Sequence, residues 1–450
     1  MSRRIFIANR GEIALRVIAA CEALGYETVL GVSAADRDTL GAKRATRSVV
    51  LGGPRAGDSY LSHSAVLHAA KATGCDAIHP GYGFLSENPA FASACAEAGL
   101  IFIGPTPAQL ETLGDKLSAR AFAESVGVPV SAGGPTATLD DALALAARIG
   151  FPVLVKAANG GGGRGMKLVH EAADLAAAWQ IASSEAEAAF GDGTVFLERF
   201  VAAAKHIEVQ ILGDSHGACV HLGERECTLQ YRYQKIIEEA PSSALDDAAR
   251  RALHDYALRI GEGLGYCGLG TVEFLYDVQT GAISFLEVNP RVQVEHPVTE
   301  AVTGVDLVRE QILVAFGEAL PFTQDDITIT GHAVELRLTA QDPAHDLRPT
   351  PGRLTRWRPA PLGGVRLDSH MYEGYLFPPY YDALMAKFIA CADTREAALR
   401  LAGMAIARLD VAGPVTNRTL LARLLAHPDM QANTITTRWL EEQFAQGALP

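Results

Sequence analysis

The sequence predicts an α/β protein built from consecutive parts rather than around one core. In the first hundred residues, short apolar runs alternate with amphipathic stretches, which is typical of a parallel α/β unit. From Ile207 onward, strand-like segments dominate. The last third, from His332, combines β-rich sequence with a helical pattern near Arg395–Leu409. A chain of 450 residues exceeds the usual size of one domain, so we expect two or three units in a continuous body.

The N-terminal part carries the pattern of strands that alternate with helices. Its segments are, in order, Ile5–Ala8, Ile13–Leu24, Thr28–Val32, Ala77–His79, Phe91–Ala98 and Ile101–Ile103. A Rossmann dinucleotide site requires G-x-G-x-x-G after the first strand, and the sequence there is Ala8-Asn9-Arg10-Gly11-Glu12. We therefore exclude a Rossmann site.

The central part begins after Pro105 and predicts a small β-rich lid. Its segments are a helix Ala119–Val126, strands Pro152–Lys156 and Met166–Val169, a long helix Ala172–Ala189 and a strand Val195–Phe200. A helix near Asp246–Leu264 follows. A hairpin then joins Thr271–Tyr276 to Ile283–Val288.

A glycine run, Asn159–Gly165, lies between two predicted strands. Glycines let backbone N–H groups close around phosphate oxygens because no Cβ atom interferes. The run is not a Walker A loop, since no Gly-Lys-Ser/Thr follows and the next element is a strand. It predicts a flexible phosphate cover, with Lys156 just upstream. A mobile surface hairpin is the alternative for the glycines alone.

The hairpin predicts a metal site. Its turn places Glu273 opposite Phe285, so that Glu287 is the diagonal neighbour of Glu273 on the same face, and period-two alternation adds Asn289. Two carboxylates and an amide within about 7–8 Å repel one another unless a cation lies between them. An all-oxygen ligand set suits Mg²⁺ held jointly with ATP phosphates. The alternative is an exposed hairpin face with solvated acids.

Polar residues alternate directly after the hairpin. Arg291, Gln293 and Glu295 would share one face of a strand. An arginine that clamps a small oxyanion and a glutamate that takes a proton, beside a metal site, would form a reaction chamber. A surface strand is the alternative.

Composition excludes several classes of protein. The formal net charge of −13, without a basic run, disfavours nucleic-acid binding. No apolar signal region follows the N-terminus and no eighteen-residue apolar stretch occurs, so we expect neither export nor a membrane span. Seven scattered cysteines without a CxxC pair argue against a disulfide framework and favour a cytoplasmic location.

Five segments of this chain resemble the biotin carboxylases of the ATP-grasp superfamily, along nearly the whole length. They are IANRGEIALR from Ile7, HPGYGFLSEN from His79, KAANGGGGRGM from Lys156, QKIIEEAPS from Gln234 and NPRVQVEHPVTE from Asn289. The resemblance implies an ATP-grasp fold in three domains. These are a parallel α/β pre-ATP-grasp domain (1–114), an ATP-grasp domain (115–330) with a mobile lid about 131–203, and a C-terminal β-rich α+β domain (331–450).

The resemblance also implies the nucleotide and metal sites. ATP would be bound by Lys116, Lys156, Gly162, Gly163, Glu198, Arg199, Phe200, Val201, His206, Gln230, Tyr233, Glu273 and Glu287. Mg²⁺ or Mn²⁺ would be held by Glu273, Glu287 and Asn289. The lysines would hold the phosphates, Gly162 and Gly163 would close the lid, and residues 198–201 would contact adenine.

The implied reaction is ATP- and Mg-dependent carboxylation of biotin through carboxyphosphate. Bicarbonate would be bound by Lys235, Arg291, Gln293 and the Val294 amide, and Glu295 would remove its proton. Lys235 would also neutralise the phosphoryl charge. Carboxyphosphate would yield CO₂ and phosphate, and the phosphate would deprotonate biotin N1. Arg337 would stabilise the ureido oxyanion, and Tyr82 would border the biotin ring.

The resemblance implies partners as well. No Ala-Met-Lys-Met biotinylation sequence occurs, and the nearest imitation, Leu384-Met385-Ala386-Lys387-Phe388, lacks the second methionine, so we expect Lys387 to be structural. Biotin would arrive on a biotin carboxyl carrier protein, and carboxyltransferase subunits would complete the pathway. A homodimer is also expected. The acceptor would be acetyl-CoA, with other acyl-CoAs or urea left open.

The chain departs from the family pattern at a few positions. Tyr233 replaces a ribose-contacting histidine, Arg199 a lysine and Gln341 an acid, and the surface around Ala19 and 362–366, where bacterial subunits pair, is altered. Two alternatives remain at this stage. One is an ATP-grasp ligase that makes another acyl phosphate, and the other is a nucleotide-binding subunit without turnover.

Overall fold

The N-terminal part is a parallel sheet with helices, which confirms the prediction from its alternating pattern. The computed structural model describes residues 2–157, 166–191 and 193–449. The first elements are β1 (Arg4–Ile7), α1 (Gly11–Ala23), β2 (Glu27–Ser33), α2 (Leu40–Arg44), β3 (Arg47–Gly52), α3 (His63–Ala72), β4 (Ala77–His79), α4 (Pro89–Glu97), β5 (Ile101–Phe102) and α5 (Pro107–Gly114). The strands pair in parallel in the order β3-β2-β1-β4-β5.

The predicted lid contains a four-stranded antiparallel sheet. After α6 (Lys116–Ser125) come β6 (Gly133–Thr136), α7 (Leu139–Ile149), β7 (Val153–Ala157), β8 (Lys167–Val169), α8 (Ala172–Phe190) and β9 (Val195–Arg199). The strand order is β6-β9-β7-β8, and apolar residues of β7, β9, α7 and α8 form a separate small core. The whole glycine run, including Gly162 and Gly163, lies outside the described residues, so the phosphate cover stays a prediction.

The rest of the central part supplies long strands and three helices. They are β10 (Ala204–Gly213), β11 (Cys219–Tyr231), β12 (Gln234–Ala240), α9 (Asp247–Gly263), β13 (Gly268–Asp277), β14 (Ile283–Asn289), α10 (His296–Thr303) and α11 (Leu307–Ala315). The predicted helix near Asp246–Leu264 and the predicted hairpin are both present.

The C-terminal part combines strands with helices, as predicted. Its elements are β15 (His332–Thr339), β16 (Gln341–Asp342), β17 (Arg348–Pro349), β18 (Gly352–Arg353), β19 (Arg356–Arg358), β20 (Val365–Ser369), β21 (Leu376–Phe377), β22 (Leu384–Ala392), α12 (Arg395–Ala407), β23 (Asp410–Ala412), α13 (Arg418–Ala426), α14 (Pro428–Ala432) and α15 (Trp439–Ala445). Among the described residues, no helix has the length and hydropathy to cross a bilayer.

One eight-stranded antiparallel sheet joins the central and C-terminal parts. Its order is β14-β13-β10-β11-β12-β15-β22-β20, and Ile237 of β12 pairs with Leu336 of β15. The sheet therefore runs across the boundary predicted at residue 330, and it carries Glu273 on β13, Lys235 on β12 and Arg337 on β15 in one framework.

Two local predictions are wrong. Glu287 lies directly opposite Glu273 rather than diagonal to it, because a register shift follows Glu273 and pairs Phe274 with Phe285. Residues 290–295 form a turn that leads into α10 and not a strand, so Arg291, Gln293 and Glu295 do not share a strand face. Pro290 has no N–H to donate to a ladder, and alternation of polarity does not reveal whether a neighbouring strand exists.

Candidate active site

One large cleft lies where the three parts of the chain meet. Its volume is about 1050 Å³. Every predicted site residue within the described chain lines it: Tyr82, Lys116, Lys156, Glu198, Arg199, Phe200, Val201, His206, Gln230, Tyr233, Lys235, Glu273, Glu287, Asn289, Arg291, Gln293, Val294, Glu295 and Arg337. The structure thus brings together residues that lie more than 250 positions apart in sequence, from Tyr82 to Arg337.

The ammonium group of Lys235 occupies the centre of the cleft floor. Its Nζ atom contacts the carboxylates of Glu208 (2.6 Å), Glu273 (3.1 Å) and Glu295 (2.6 Å). Burial alone would lower the pKa of Lys235, but these carboxylates outweigh it and hold the pKa well above its usual value. Lys235 therefore stays positively charged in the folded protein.

A fully buried arginine supports this cluster from below. Arg225 donates from Nε to Glu208 at 2.5 Å and from Nη1 to Gln210 at 2.7 Å. It also reaches the hydroxyls of Thr271 and Thr299. Because all of these partners are buried, Arg225 holds Glu208 in the orientation that contacts Lys235.

Arg337 contacts Glu295, another of the three carboxylates around Lys235. Its Nη2 lies 2.9 Å from Oε2 of Glu295, and its Nε lies 2.5 Å from Oε1 of Glu238. Burial would raise the pKa of Glu295, but the charges of Lys235, Arg337 and Arg225 hold the pKa well below its usual value. Burial raises the pKa of Glu238 to about 7. The charge of Arg337 acts in the opposite direction, and the charge of Glu295 adds to the increase.

The hairpin acids form an all-oxygen set that fits a divalent cation. Glu273 and Glu287 are cross-strand partners, and Asn289 Nδ2 lies 3.0 Å from Glu273 Oε1. Partial burial and then the charge of Glu273 raise the pKa of Glu287. Lys116 Nζ lies 3.8 Å from the carboxylate of Glu287, and its positive charge offsets only part of this increase. A divalent cation between the carboxylates would relieve this repulsion, and oxygen donors are the ligands that Mg²⁺ prefers.

The turn after β14 carries a guanidinium group. Arg291 donates to Asn289 Oδ1 at 2.9 Å and to Gln293 Oε1 at 3.2 Å, and its Nε lies 3.2 Å from Glu87. The turn ends at Glu295, the N-cap of α10, where the helix dipole is positive. A cation beside a helix N-terminus and backbone N–H groups suits a small oxyanion.

The lid and the β11–β12 turn form the side of the cleft where the sequence predicts nucleotide binding. Lys156 Nζ lies 2.8 Å from Glu198 Oε1 across β7 and β9. Tyr233, which departs from the family pattern, lies in the turn with φ of 65° and is 55% exposed at the rim of the cleft. This exposure leaves room for a nucleotide to contact the ring.

Comparisons with known proteins agree along the whole chain. Family models match in order: "Biotin carboxylase, N-terminal domain" at residues 1–110, "Carbamoyl-phosphate synthase L chain, ATP binding domain" at 115–323 and "Biotin carboxylase C-terminal domain" at 335–442. The biotin carboxylase of Nostoc sp. is 44% identical over 98% of this chain and 98% of its own. The chain belongs to the biotin carboxylase family.

Solved structures of the biotin carboxylase family superpose closely on this chain. The biotin carboxylase–β,γ-ATP complex from Campylobacter jejuni has a TM-score of 0.94 at 41% identity and covers 98% of this chain and 99% of its own. The biotin carboxylase domain dimer of Hydrogenobacter thermophilus 2-oxoglutarate carboxylase, in complex with MgADP, ADP and bicarbonate, has a TM-score of 0.93 at 39% identity, with 98% of each chain covered. The ATP-grasp fold is confirmed, and the chain is an ATP-dependent ligase of the biotin carboxylase type.

Sequence reasoning missed three residues of the candidate site. Glu208, Arg225 and Glu238 are fully buried, and each contacts a predicted site residue or its partner. A signal was present, since acids and an arginine inside otherwise apolar strands are rarely buried unless they are paired. Sequence alone does not reveal which pairs form.

Replacing Arg225 with methionine should lower the free energy of unfolding by about 3–5 kcal/mol, because Glu208 and three polar partners lose a buried donor. Thermal unfolding measures the change. Arg356→Met is the control, since Arg356 pairs with Asp410 on the surface and should contribute less than about 1 kcal/mol. Equal melting temperatures for the two variants would contradict the role of Arg225.

Glu238→Gln should become more stable relative to the native protein as the pH rises from about 5 to 8. The pKa of Glu238 is raised from 4.5 to about 7, so the folded protein retains a proton that the unfolded chain releases in this window. Ionisation of Glu238 therefore destabilises the native fold by about 3 kcal/mol above pH 7, and glutamine does not ionise. Unfolding of both proteins across this pH range tests the sign.

Proposed function

We propose that this biotin carboxylase uses bicarbonate and ATP to form carboxyphosphate and then carboxylates biotin that a separate carrier protein delivers. The observation that supports the proposal best is the position of Glu295. Its two carboxylate oxygens are held by Lys235 and Arg337, 2.6 and 2.9 Å away, beside the oxygen set of the hairpin. One glutamate thus lies between a site for phosphate and a site for an oxyanion.

ATP would enter between the lid and the large sheet. Lys116 and Lys156 would contact its phosphates, residues 198–201 would contact adenine, and His206, Gln230 and Tyr233 line the same side of the cleft. Mg²⁺, or Mn²⁺, would be held by Glu273, Glu287 and Asn289, and it would neutralise phosphate charge. Gly162 and Gly163 would cover the phosphates.

Bicarbonate would bind at the turn after β14. The guanidinium group of Arg291 would pair with its oxygens, and the side chain of Gln293 and the N–H of Val294 would complete the contact. Asn289 and Gln293 hold Arg291 through hydrogen bonds of 2.9 and 3.2 Å, so the cation is oriented before the substrate arrives.

Glu295 would take the proton of bicarbonate. In the free protein its pKa is low because Lys235 and Arg337 neutralise it, which makes it a weak base. Once phosphate and bicarbonate oxygens compete for these cations, the pKa of Glu295 rises and the carboxylate becomes a stronger base. Substrate binding would therefore switch on proton transfer.

The bonds then change in two steps. A bicarbonate oxygen attacks the γ-phosphorus as its proton passes to Glu295, and the bond to ADP breaks, which gives carboxyphosphate. Lys235 neutralises the charge on the phosphoryl group. Carboxyphosphate divides into CO₂ and phosphate, the phosphate takes the N1 proton of biotin, and N1 attacks CO₂. Arg337 stabilises the ureido oxyanion, and Tyr82 borders the ring.

The carrier and its assembly form a further part of the proposal. Lys387, in the segment nearest to a biotinylation sequence, is fully buried in β22, so biotin would be attached to a biotin carboxyl carrier protein instead. Carboxyltransferase subunits would then pass the carboxyl group to acetyl-CoA or another acceptor. Dimerisation would follow the Hydrogenobacter thermophilus domain, which is described as a dimer.

Purified protein should hydrolyse ATP only when bicarbonate is present, and the rate should rise when free biotin is added. Biotin reacts with CO₂ and so favours the breakdown of carboxyphosphate. Phosphate release with and without each compound is the measurement. A ligase that makes another acyl phosphate would respond to an amine acceptor and not to biotin, and a subunit without turnover would bind ATP but release no phosphate.

Glu295→Gln and Arg337→Ala should each abolish biotin carboxylation while ATP binding stays nearly unchanged. Both side chains lie beyond the expected phosphates. The glutamine of Glu295→Gln cannot take the bicarbonate proton, and loss of the Arg337 donor lowers the rate by about 10²–10³-fold. Calorimetric titration with ATP and a carboxylation assay separate the two effects. If both variants lost nucleotide affinity, these roles would be wrong.

A further inference from the structure

A fully buried lysine touches the proposed bicarbonate turn from behind. Lys387 Nζ donates to the carbonyl oxygen of Val294 at 2.8 Å, and it lies 3.0 Å from Glu12 and 3.9 Å from Asp368. Its side chain is 0% exposed and does not line the cleft. Burying an ammonium group costs several kcal/mol, so these contacts have to hold it in one position.

A buried histidine touches the same turn one residue earlier. His296 Nδ1 lies 2.7 Å from the carbonyl oxygen of Gln293. A carbonyl oxygen only accepts, so Nδ1 carries the proton. Burial first, and then the charges of Lys387, Arg16 and Arg366, hold the pKa of His296 well below its usual value. The ring is neutral, and its donor is directed at one backbone carbonyl.

Holding these two carbonyls sets the direction of the amide that faces the cleft. In a trans peptide, the N–H points opposite to the C=O of the preceding residue. Fixing the Gln293 carbonyl on His296 therefore directs the Val294 N–H away from His296. Val294 lines the cleft, and within the described part of the chain its N–H makes no hydrogen bond. Lys387 holds the carbonyl of Val294 and so fixes the next peptide plane, between Val294 and Glu295, in the same way.

The same lysine is also linked to the biotin side. Glu12, its nearest carboxylate, accepts a hydrogen bond of 2.5 Å from the hydroxyl of Tyr82. Tyr82 lines the cleft. The pair of Lys387 and Glu12 thus contacts the backbone of the bicarbonate turn at one end and the proposed biotin-bordering ring at the other.

We propose that Lys387 and His296 are positioning residues, which together hold the Val294 amide toward bicarbonate, and that Lys387 holds Tyr82 through Glu12. The inference rests on the proposed function, because it concerns the same bicarbonate site. Neither residue touches substrate. Each acts through a backbone carbonyl that it holds from behind.

The test measures KM for bicarbonate and KM for ATP separately in the bicarbonate-dependent ATP hydrolysis assay. Glu12→Gln/Lys387→Met removes the buried cation and its nearest anion together, so Glu12 is not left buried as an unpaired charge. The double variant should raise KM for bicarbonate about 10–100-fold, with little change in KM for ATP. The reason is that a shift of the Val294 amide by about 1 Å would remove most of its contact with bicarbonate. Glu12→Gln/Lys387→Arg, which restores a donor, should recover part of the affinity.

His296 provides an independent arm. His296→Leu should raise KM for bicarbonate, and His296→Gln, whose amide can still donate to Gln293, should raise it less. Lys205→Met is the matched control. Lys205 is a buried lysine that pairs with Glu226 and Asn433, and none of the three lines the cleft. This variant should lower the melting temperature and leave KM for bicarbonate unchanged.

The outcomes distinguish the two proposals. If the native protein shows no bicarbonate-dependent hydrolysis, the proposed function fails and the positioning role fails with it. If the native protein is active but the Lys387 and His296 variants keep an ordinary KM for bicarbonate, only the positioning role is overturned. A parallel rise in both KM values would also overturn it, since that is the result of general loosening. Should the Lys387 variants fail to fold, the His296 pair decides.

Discussion

The active site depends on one ammonium group that lies among three carboxylates. Glu208, Glu273 and Glu295 come from two strands and a turn, and without Lys235 their mutual repulsion would open the cleft floor. Each carboxylate is also held by something else: Glu208 by Arg225, Glu273 by His206 and Glu295 by Arg337. The cluster is therefore a network in which every charge has at least two partners. Such networks are rigid, and they are costly to leave partly satisfied.

The balance of charge in this network connects its structure to its chemistry. In the free protein, the cations are neutralised by the protein's own acids, and the expected base, Glu295, is kept ionised but weak. Anionic substrates offer the same cations alternative partners, so binding redistributes the charges rather than adding new ones. In the proposed mechanism, Glu295 becomes a strong base only when both substrates are bound, which would protect ATP from attack by water.

The framework explains why the network can form at all. The eight-stranded sheet continues from the ATP-binding region into the C-terminal part, so Lys235 on β12 and Arg337 on β15 lie on adjacent strands. The N-terminal part then closes the cleft with Tyr82 and Glu12. Buried contacts behind the turn, from Lys387 and His296, orient backbone groups that no side-chain pattern specifies. The chemistry of a small anion thus depends on residues from all three parts.

The sequence by itself determined the order of the elements, the parallel N-terminal unit and the hairpin, because hydrophobic periodicity and short motifs are local properties of the chain. It did not determine the register of Glu273 and Glu287, since a bulge leaves no mark in a pattern of period two. It also predicted a strand at 291–295, where the structure has a turn. Only the tertiary structure decided that Glu208, Arg225 and Glu238 belong to the site and that Lys387 supports it. These roles arise from which buried charges meet, and such pairs are formed by strands that are distant in sequence.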